Sequence, residues 1–339
     1  MKEPLVTVLT PSYNGAKLIH RLLDSVLGQT YPNIEMIVVD DGSTDNSEEV
    51  IKGYIPKFEE KGYTLQYMYQ ENGGQSVAIN NGLKHVKGKY LTWPDSDDWF
   101  ATPDAISKLA NALENSSDEV GMVRSQEMVI NESDLSVIYT RGVDFKTPSR
   151  RQFFEDCMFC GNGFYFTPGA YMIKFDFFKK VNGLDIYTEH DAGQNWQMML
   201  PMLYNFDCLH INEPLFSVLE RNGSHSRLME LRYDKFMNQR RFYENTVLAT
   251  LDLMKNMPES DRKEYKLRVE RKYNAERLKL AYDFRERSDF KKYWLKGIDR
   301  LKETPTLKEK VRYLVVRVHA ENLLGFAARV KNKFVSCFR

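Results

Sequence analysis

Residues 95–98 read Asp95-Ser96-Asp97-Asp98 directly after the apolar run Tyr90-Leu91-Thr92-Trp93. A strand ending there presents several carboxylates at one point. Mg²⁺ and Mn²⁺ take oxygen ligands, and when held by one or two carboxylates they usually complete their shell with water and phosphate oxygens. A solvated or helix-capping acidic turn is the other reading of the string.

Two upstream segments place further polar groups at strand ends. Leu5–Leu9 leads into Pro11-Ser12-Tyr13-Asn14-Gly15, and Ile34–Val39 leads into Asp40-Asp41-Gly42-Ser43-Thr44-Asp45. Between them Ile19, Leu22, Leu23, Val26 and Leu27 recur at helical spacing, so the unit reads as strand, helix, strand with a right-handed parallel crossover. Ligands of such sheets bind beyond the carboxyl ends of the strands. Tyr13 would offer a flat face to a base, Asp41 an acceptor to base or ribose, and Asp97 a metal on a diphosphate.

In this order, Pro11-Ser12-Tyr13-Asn14, Asp40 to Asp45, Glu71-Asn72-Gly73-Gly74 and Asp95-Ser96-Asp97-Asp98 resemble the motifs of the family-2 glycosyltransferases. A weaker match runs from Gly183-Leu184-Asp185 to about Ser226. The resemblance implies a GT-A fold, that is, an α/β Rossmann-like and mostly parallel sheet flanked by helices. It further implies a nucleotide-diphosphate sugar donor, most often a UDP-sugar, a divalent cation, inversion at the anomeric carbon, and a glycan or lipid-linked glycan acceptor. Pro11, Ser12, Tyr13, Asn14, Asp41, Gly74, Asn80, Asp95 and Ser96 become candidate donor contacts, with Asp97 and Asp98 as metal ligands. The family pattern carries an Arg before Asn80; Ile79 stands there instead. Turn and capping chemistry is the other reading of Asn72 and Asn80.

The catalytic base should lie in Glu189-His190-Asp191-Ala192-Gly193-Gln194-Asn195-Trp196-Gln197. An inverting transferase needs a carboxylate to take the acceptor hydroxyl proton, and by resemblance a Glu-Asp pair opening a helix supplies it. That pair aligns with Gln194-Asn195, which cannot act as a base. Asp191, one helical turn earlier, is the leading candidate and Glu189 the next; His190 is a third, and Asp191 could instead cap the helix carrying Trp196. Further on, Arg221-Asn222-Gly223-Ser224-His225-Ser226-Arg227 follows the strand-like Pro214–Val218. There Arg221 could neutralise the leaving group and His225 ligate the metal.

Two spacings have ordinary readings. The helix after Thr102-Pro103, with Ile106, Leu109, Ala110 and Leu113 on one face, is structural. The crowd Phe153, Phe154, Phe159, Phe164, Tyr165 and Phe166 suits either core or a sugar-stacking wall; the acceptor side is expected here, with Gly161-Asn162-Gly163 and Pro168-Gly169-Ala170 as turns lining its cleft. Asn131 to Arg151 reads as loop with a short hairpin near Val137-Ile138-Tyr139. Cys157 and Cys160 have no second pair at zinc-site spacing and read as incidental thiols.

Composition sets the outer limits. At 339 residues the chain is one large domain with an appendage, or two domains. The expected division is residues 1–227 as the transferase domain (1–120 nucleotide-sugar half, 121–227 acceptor half) and 228–339 as a helical C-terminal extension, with breaks at Met257-Pro258 and Thr304-Pro305-Thr306. Lys and Arg total 48 against 47 Asp and Glu, a balance that argues against nucleic acid as partner. No apolar run approaches the roughly 18 to 20 residues of a spanning helix, and no signal-peptide pattern opens the sequence. A cytoplasmic protein is expected. From Lys308 to Arg339, however, Lys308, Lys310, Arg312, Arg317, Arg329, Lys331, Lys333 and Arg339 face only Glu309 and Glu321, interleaved with apolar residues. That pattern suits either an amphipathic helix on the anionic inner face of the plasma membrane or a helix packed on the protein.

Overall fold

The structure, a computed structural model, describes residues 3–143, 146–189, 193–221 and 232–317. Asp191, His190, His225 and the segment 318–339 therefore lie outside the described residues.

The first two strands, β1 (Val6–Ser12) and β2 (Ile34–Asp41), are buried along their whole length. This is the signature of parallel strands covered on both faces, which need near-continuous apolar runs rather than alternation. They pair in parallel in the register Val6↔Ile34 to Ser12↔Asp40, so both end at the same level. The crossover helix α1 (Ile19–Leu27) buries Ile19, Leu22, Leu23 and Val26, as its spacing requires. Helix α2 (Ser47–Glu60) leads to β3 (Thr64–Gln70), which extends the sheet in parallel on the far side of β2. Helix α3 (Gln75–Leu83) then returns the chain to β4 (Tyr90–Thr92), parallel to β1.

Beyond β4 the sheet becomes mixed. Its order is β3-β2-β1-β4-β8-β6-β9-β5, with β7 paired on β6. The added strands are β5 (Trp99–Phe100), β6 (Val120–Asn131), β7 (Val137–Arg141), β8 (Tyr171–Lys174) and β9 (Asp207–Glu220). Helix α4 (Ala105–Glu114) buries Ile106, Leu109, Ala110 and Leu113. Helices α5 (Arg150–Phe159), α6 (Phe175–Asn182) and α7 (Asn195–Asn205) complete this half. The hairpin near Val137 is present, whereas the strand before it runs further than its sequence suggests. Arg124, Ser125, Gln126 and Glu127 are polar yet buried in β6, and tertiary partners are what make that tolerable. The Arg124 guanidinium lies against the rings of Phe153 and Tyr165, and Glu127 pairs with Arg141 at 2.7 Å across the hairpin.

The aromatic crowd divides between both of its readings. Phe153, Phe154 and Tyr165 are core, while Phe164 and Phe166 are only partly buried. Gly169 sits where any side chain would run into the Phe216 ring, a Cβ falling 2.0 Å from it. Its turn therefore packs flat on β9.

Contacts divide the chain into residues 1–228 with 246–258, and residues 229–245 with 259–339. Helix α8 (Tyr233–Leu253) contributes Val247 and Leu251 to the buried core. Within the second unit, α9 (Glu259–Asp283), α10 (Arg287–Leu295) and α11 (Leu307–Arg317) follow the breaks at Pro258 and Pro305. Leu278, Ala281, Phe290 and Trp294 form its core, with Tyr313 and Val316 of α11 packed against them. A buried pair, Arg277 to Glu244 at 2.5 Å, closes it. Thr306 and Glu309 exchange hydrogen bonds as a capping box at the start of α11.

Candidate active site

Helix α3 is the frame of the site. Asp41, at the end of β2, accepts the N–H groups of Gly73 and Gly74 at 2.9 and 2.8 Å and the Gln70 amide at 2.7 Å. Gly74 has φ +92°, a conformation open to glycine, and so starts α3 directly from that turn. The next two residues reach in different directions. Gln75 Nε2 donates to Asp95 Oδ1 at 2.7 Å, and Ser76 Oγ donates to the Glu189 carbonyl at 3.1 Å. One turn on, Asn80 Oδ1 accepts the Ile186 N–H at 3.0 Å. Asn80 thus holds the 186–189 segment, in the turn-holding role its sequence allowed. Ile79, standing where the family pattern has a charged neighbour, is wholly buried.

The ends of β1 and β2 are stitched together in the same way. Asn14, with φ +49°, donates its N–H to Ser43 Oγ and accepts the Thr44 N–H on Oδ1. Ser12 and Pro11 are buried beneath, and Tyr13 projects half-exposed from the loop. A Cβ on Gly15 would lie 2.6 Å from Ser12 Oγ and 3.5 Å from Ser96 Oγ, so the acidic turn abuts this loop.

The three aspartates of the acidic turn have separate partners. Asp95 is clamped by two carboxamides, Gln75 and, from the start of α7, Gln194 at 2.9 Å. Burial and the charge of Asp97 push its carboxyl up to about 7, against the pull of the two amide N–H groups. Asp98 is buried and accepts the Leu219 N–H at 2.9 Å, tying the turn to β9. Burial, then Asp97, then Asp95 drive its carboxyl well above the carboxylate range. Asp97 is bound by Arg221, whose Nε and Nη2 donate to the same Oδ2 at 2.9 and 2.7 Å. Among the described residues no three Asp, Glu, His or Cys side chains converge as a cation-holding group.

These side chains border a cleft of about 240 Å³, lined by Asp95, Asp97 and Asp98, by Phe166, Thr167 and Pro168, by Arg141 and Val129 of the β6–β7 hairpin, and by Val218, Leu219 and Glu220 of β9. The Pro168 turn and Phe166 therefore share the cleft with the carboxylates. Gly161-Asn162-Gly163 does not. Asn162 and Gly163 line a second cavity of about 460 Å³ with Arg124, Lys146 and Asp156, because the Asp156 carboxylate accepts the Asn162 amide and pulls that turn toward α5.

Three contributors escaped sequence reading: Gln75, Gln194 and Arg141. Gln75 had a local signal, since it follows the paired glycines that open α3. Gln194 stands where the family's carboxylate pair aligns, a signal for its position but not for an amide on Asp95; Arg141 had none, because it lies in a strand that looked like loop. Of the candidate bases, Glu189 is described: its Oε2 accepts the Tyr187 hydroxyl.

Asp97 raises the carboxyls of both Asp95 and Asp98, a crowding of negative charge that a cation would relieve, and it offers an ion-pairing oxygen at the cleft wall. The donor set is all oxygen and suits Mg²⁺ or Mn²⁺ completed by phosphate oxygens rather than a protein cage.

Comparison with known proteins agrees with this architecture. An uncharacterized glycosyltransferase of Rickettsia prowazekii is 44% identical over 111 residues, 33% of this chain and 32% of the relative. The chain thus matches about a third of that relative's length. The structure of S. aureus TarS 1–349 in complex with UDP-GlcNAc superimposes with a TM-score of 0.62 over 94% of this chain and 88% of the other, at 16% identity. Mannosyltransferase PcManGT from Pyrobaculum calidifontis, in complex with GDP-Man and Mn²⁺, gives 0.51 over 97% and 87%, at 17% identity. At those identities the likeness establishes the fold, which is GT-A. Residues 7–181, just over half the chain, match the family described as glycosyl transferase family 2, and with strand ends, acidic turn and cleft arranged as above, the chain belongs to that family.

Proposed function

We propose that the protein is a metal-dependent, inverting glycosyltransferase that moves a sugar from a nucleotide-diphosphate donor, a UDP-sugar, to a hydroxyl of a glycan or lipid-linked glycan. The observation that carries this reading is a cleft bordered by the Asp95, Asp97 and Asp98 carboxylates on one side and Phe166 to Pro168 on the other, with the loop after β1 abutting the acidic turn. The complexes of TarS with UDP-GlcNAc and of PcManGT with GDP-Man and Mn²⁺ support it on the shared fold.

In this reading Tyr13 stacks on the base and the Asp41 turn bounds the nucleoside. Asp97 would hold Mg²⁺ or Mn²⁺, with Asp98 and His225 as the other candidate ligands, and the ion would supply positive charge to the departing diphosphate. Arg221 supplies a second positive charge beside it. Asp191, with Glu189 as runner-up, takes the proton from the acceptor hydroxyl as its oxygen attacks the anomeric carbon and the bond to the nucleoside diphosphate breaks, through a transition state of oxocarbenium character. The residues 1–227 form the transferase part and 228–339 the helical extension in this scheme. A second reading, a catalytically silent nucleotide-sugar-binding protein, is favoured by Gln194-Asn195 standing where the family's carboxylates align.

A panel of nucleotide sugars tested by thermal unfolding with Mn²⁺ separates these readings. A donor at about 100 times its Kd stabilises by about 2.7 kcal/mol, a rise of about 5–10 °C. Selective stabilisation by a UDP-sugar with release of UDP is expected. Stabilisation without turnover selects the silent reading, and no stabilisation by any donor overturns the proposal; a third reading, a nucleotidyltransferase, would show instead as pyrophosphate release from a nucleoside triphosphate and a sugar phosphate.

The same reading includes attachment to an anionic membrane surface. No described helix is long and apolar enough to cross a membrane. On α11, Leu307, Val311 and Leu314 are exposed at one-turn spacing while Tyr313 and Val316 pack inward. Lys308, Lys310 and Arg312 adjoin that face, so it can enter the headgroup boundary as its cations meet anionic lipid. The double substitution Val311→Glu and Leu314→Glu should abolish co-sedimentation with anionic phospholipid vesicles without lowering Tm. Unchanged vesicle binding would exclude this face.

A further inference from the structure

Asp97 carries two expectations that meet on one atom. Its Oδ2 accepts both Nε and Nη2 of Arg221, at 2.9 and 2.7 Å, leaving Oδ1 without a share in that pair. The pair is semi-buried, with about 29% of the arginine side chain and 21% of the aspartate side chain exposed, so water screens it only in part. Asp97 also lines the cleft.

We propose that Arg221 is an internal competitor for the cation site: the guanidinium and the divalent cation bind Asp97 in exchange, and Arg221 released from Asp97 becomes available to an anion in the cleft. This deepens the reading of Asp97 as metal ligand and rests on it. The charge balance favours exchange over joint binding. Two cations on one carboxylate repel, and even on Oδ1 an Mg²⁺- or Mn²⁺-sized ion would stand within a few ångströms of the guanidinium held on Oδ2. The neighbouring carboxylates do not offer Arg221 an equal alternative. Asp95 Oδ1 is taken by Gln75 and Gln194, and Asp98 Oδ1 by the Leu219 N–H. A nucleoside diphosphate arriving with the metal would supply both missing partners, oxygens for the ion and negative charge for the freed arginine. Metal and nucleotide binding would then be positively coupled through one side chain, and the coupling is reciprocal by linkage.

Mn²⁺ binding to the full-length protein, followed by calorimetry or by electron paramagnetic resonance of free Mn²⁺ without nucleotide, tests the exchange. Arg221→Gln removes the competing charge and should tighten Mn²⁺ about five- to tenfold, the scale of a partly screened ion pair. Arg221→Lys keeps a cation and should stay near the wild-type affinity. In the Gln variant UDP should bind more weakly at saturating Mn²⁺, and the factor by which UDP tightens Mn²⁺ binding should shrink. Equal Mn²⁺ affinity in wild type and Arg221→Gln, or weaker affinity in the variant, overturns the exchange while leaving the metal site standing. Absence of Mn²⁺ binding in both proteins, with UDP also present, overturns the metal reading and the exchange with it.

Discussion

Asp97→Asn is expected to remove the dependence of donor binding on Mn²⁺ and to lower Mn²⁺ affinity on the order of 100-fold or more, beyond the 10- to 100-fold that loss of an outer-shell partner costs. The amide keeps the shape of the carboxylate and can still accept from Arg221, but it carries no charge to hold a cation against water. The fold should survive, because the substitution also removes a charge that holds both Asp95 and Asp98 above their ordinary range. With that repulsion gone, Asp95 should ionise at lower pH than in the wild type. UDP titrations with and without Mn²⁺, beside a melting curve, read all of this. Unchanged Mn²⁺ dependence in a folded variant would remove Asp97 from the metal site.

Asp191→Asn should leave donor affinity within about twofold and lower kcat by about 10² to 10⁴, the usual contribution of a general base. The split between binding and turnover is the informative part, since a helix-capping role would instead show as lost stability with turnover per folded molecule intact. Glu189→Gln supplies the contrast. Glu189 sits beside Ser76 and is engaged by Tyr187, so its loss should disturb the positioning of the segment more than the chemistry. Full activity of Asp191→Asn together with a collapse of kcat in Glu189→Gln would move the base two residues.

The sequence is most readable where burial is one-dimensional. β1 and β2 are continuous apolar runs ending in polar turns, α1 and α4 carry their apolar stripe at the right period, and each was recognisable from its own residues. β6 was recognisable only at Met122-Val123, because beyond them Arg124 and Glu127 occupy buried positions that only the Phe153 and Tyr165 rings and Arg141 make acceptable. The site divides similarly. Asp95, Asp97 and the β1 and β2 loops announce themselves by composition. The clamp on Asp95 does not, since a glutamine directly after a glycine pair and another at a helix start have no local reason to share a carboxylate.

The separations in that clamp bear on how the protein folds. Gln194 reaches Asp95 across 99 residues and Arg221 reaches Asp97 across 124. Closing loops of that length costs entropy before any contact rewards it, so the motif-bearing strands can pair long before their carboxylates acquire their partners. During synthesis a chain that has emerged only as far as Asp98 already holds every carboxylate of the turn together with Gln75, yet lacks the Gln194 amide and the Arg221 guanidinium that also restrain those charges. The nascent cleft is therefore a patch of mutually repelling carboxylates until the strand and helix that follow residue 189 arrive, and cations in the surrounding medium are its available partners in the interval.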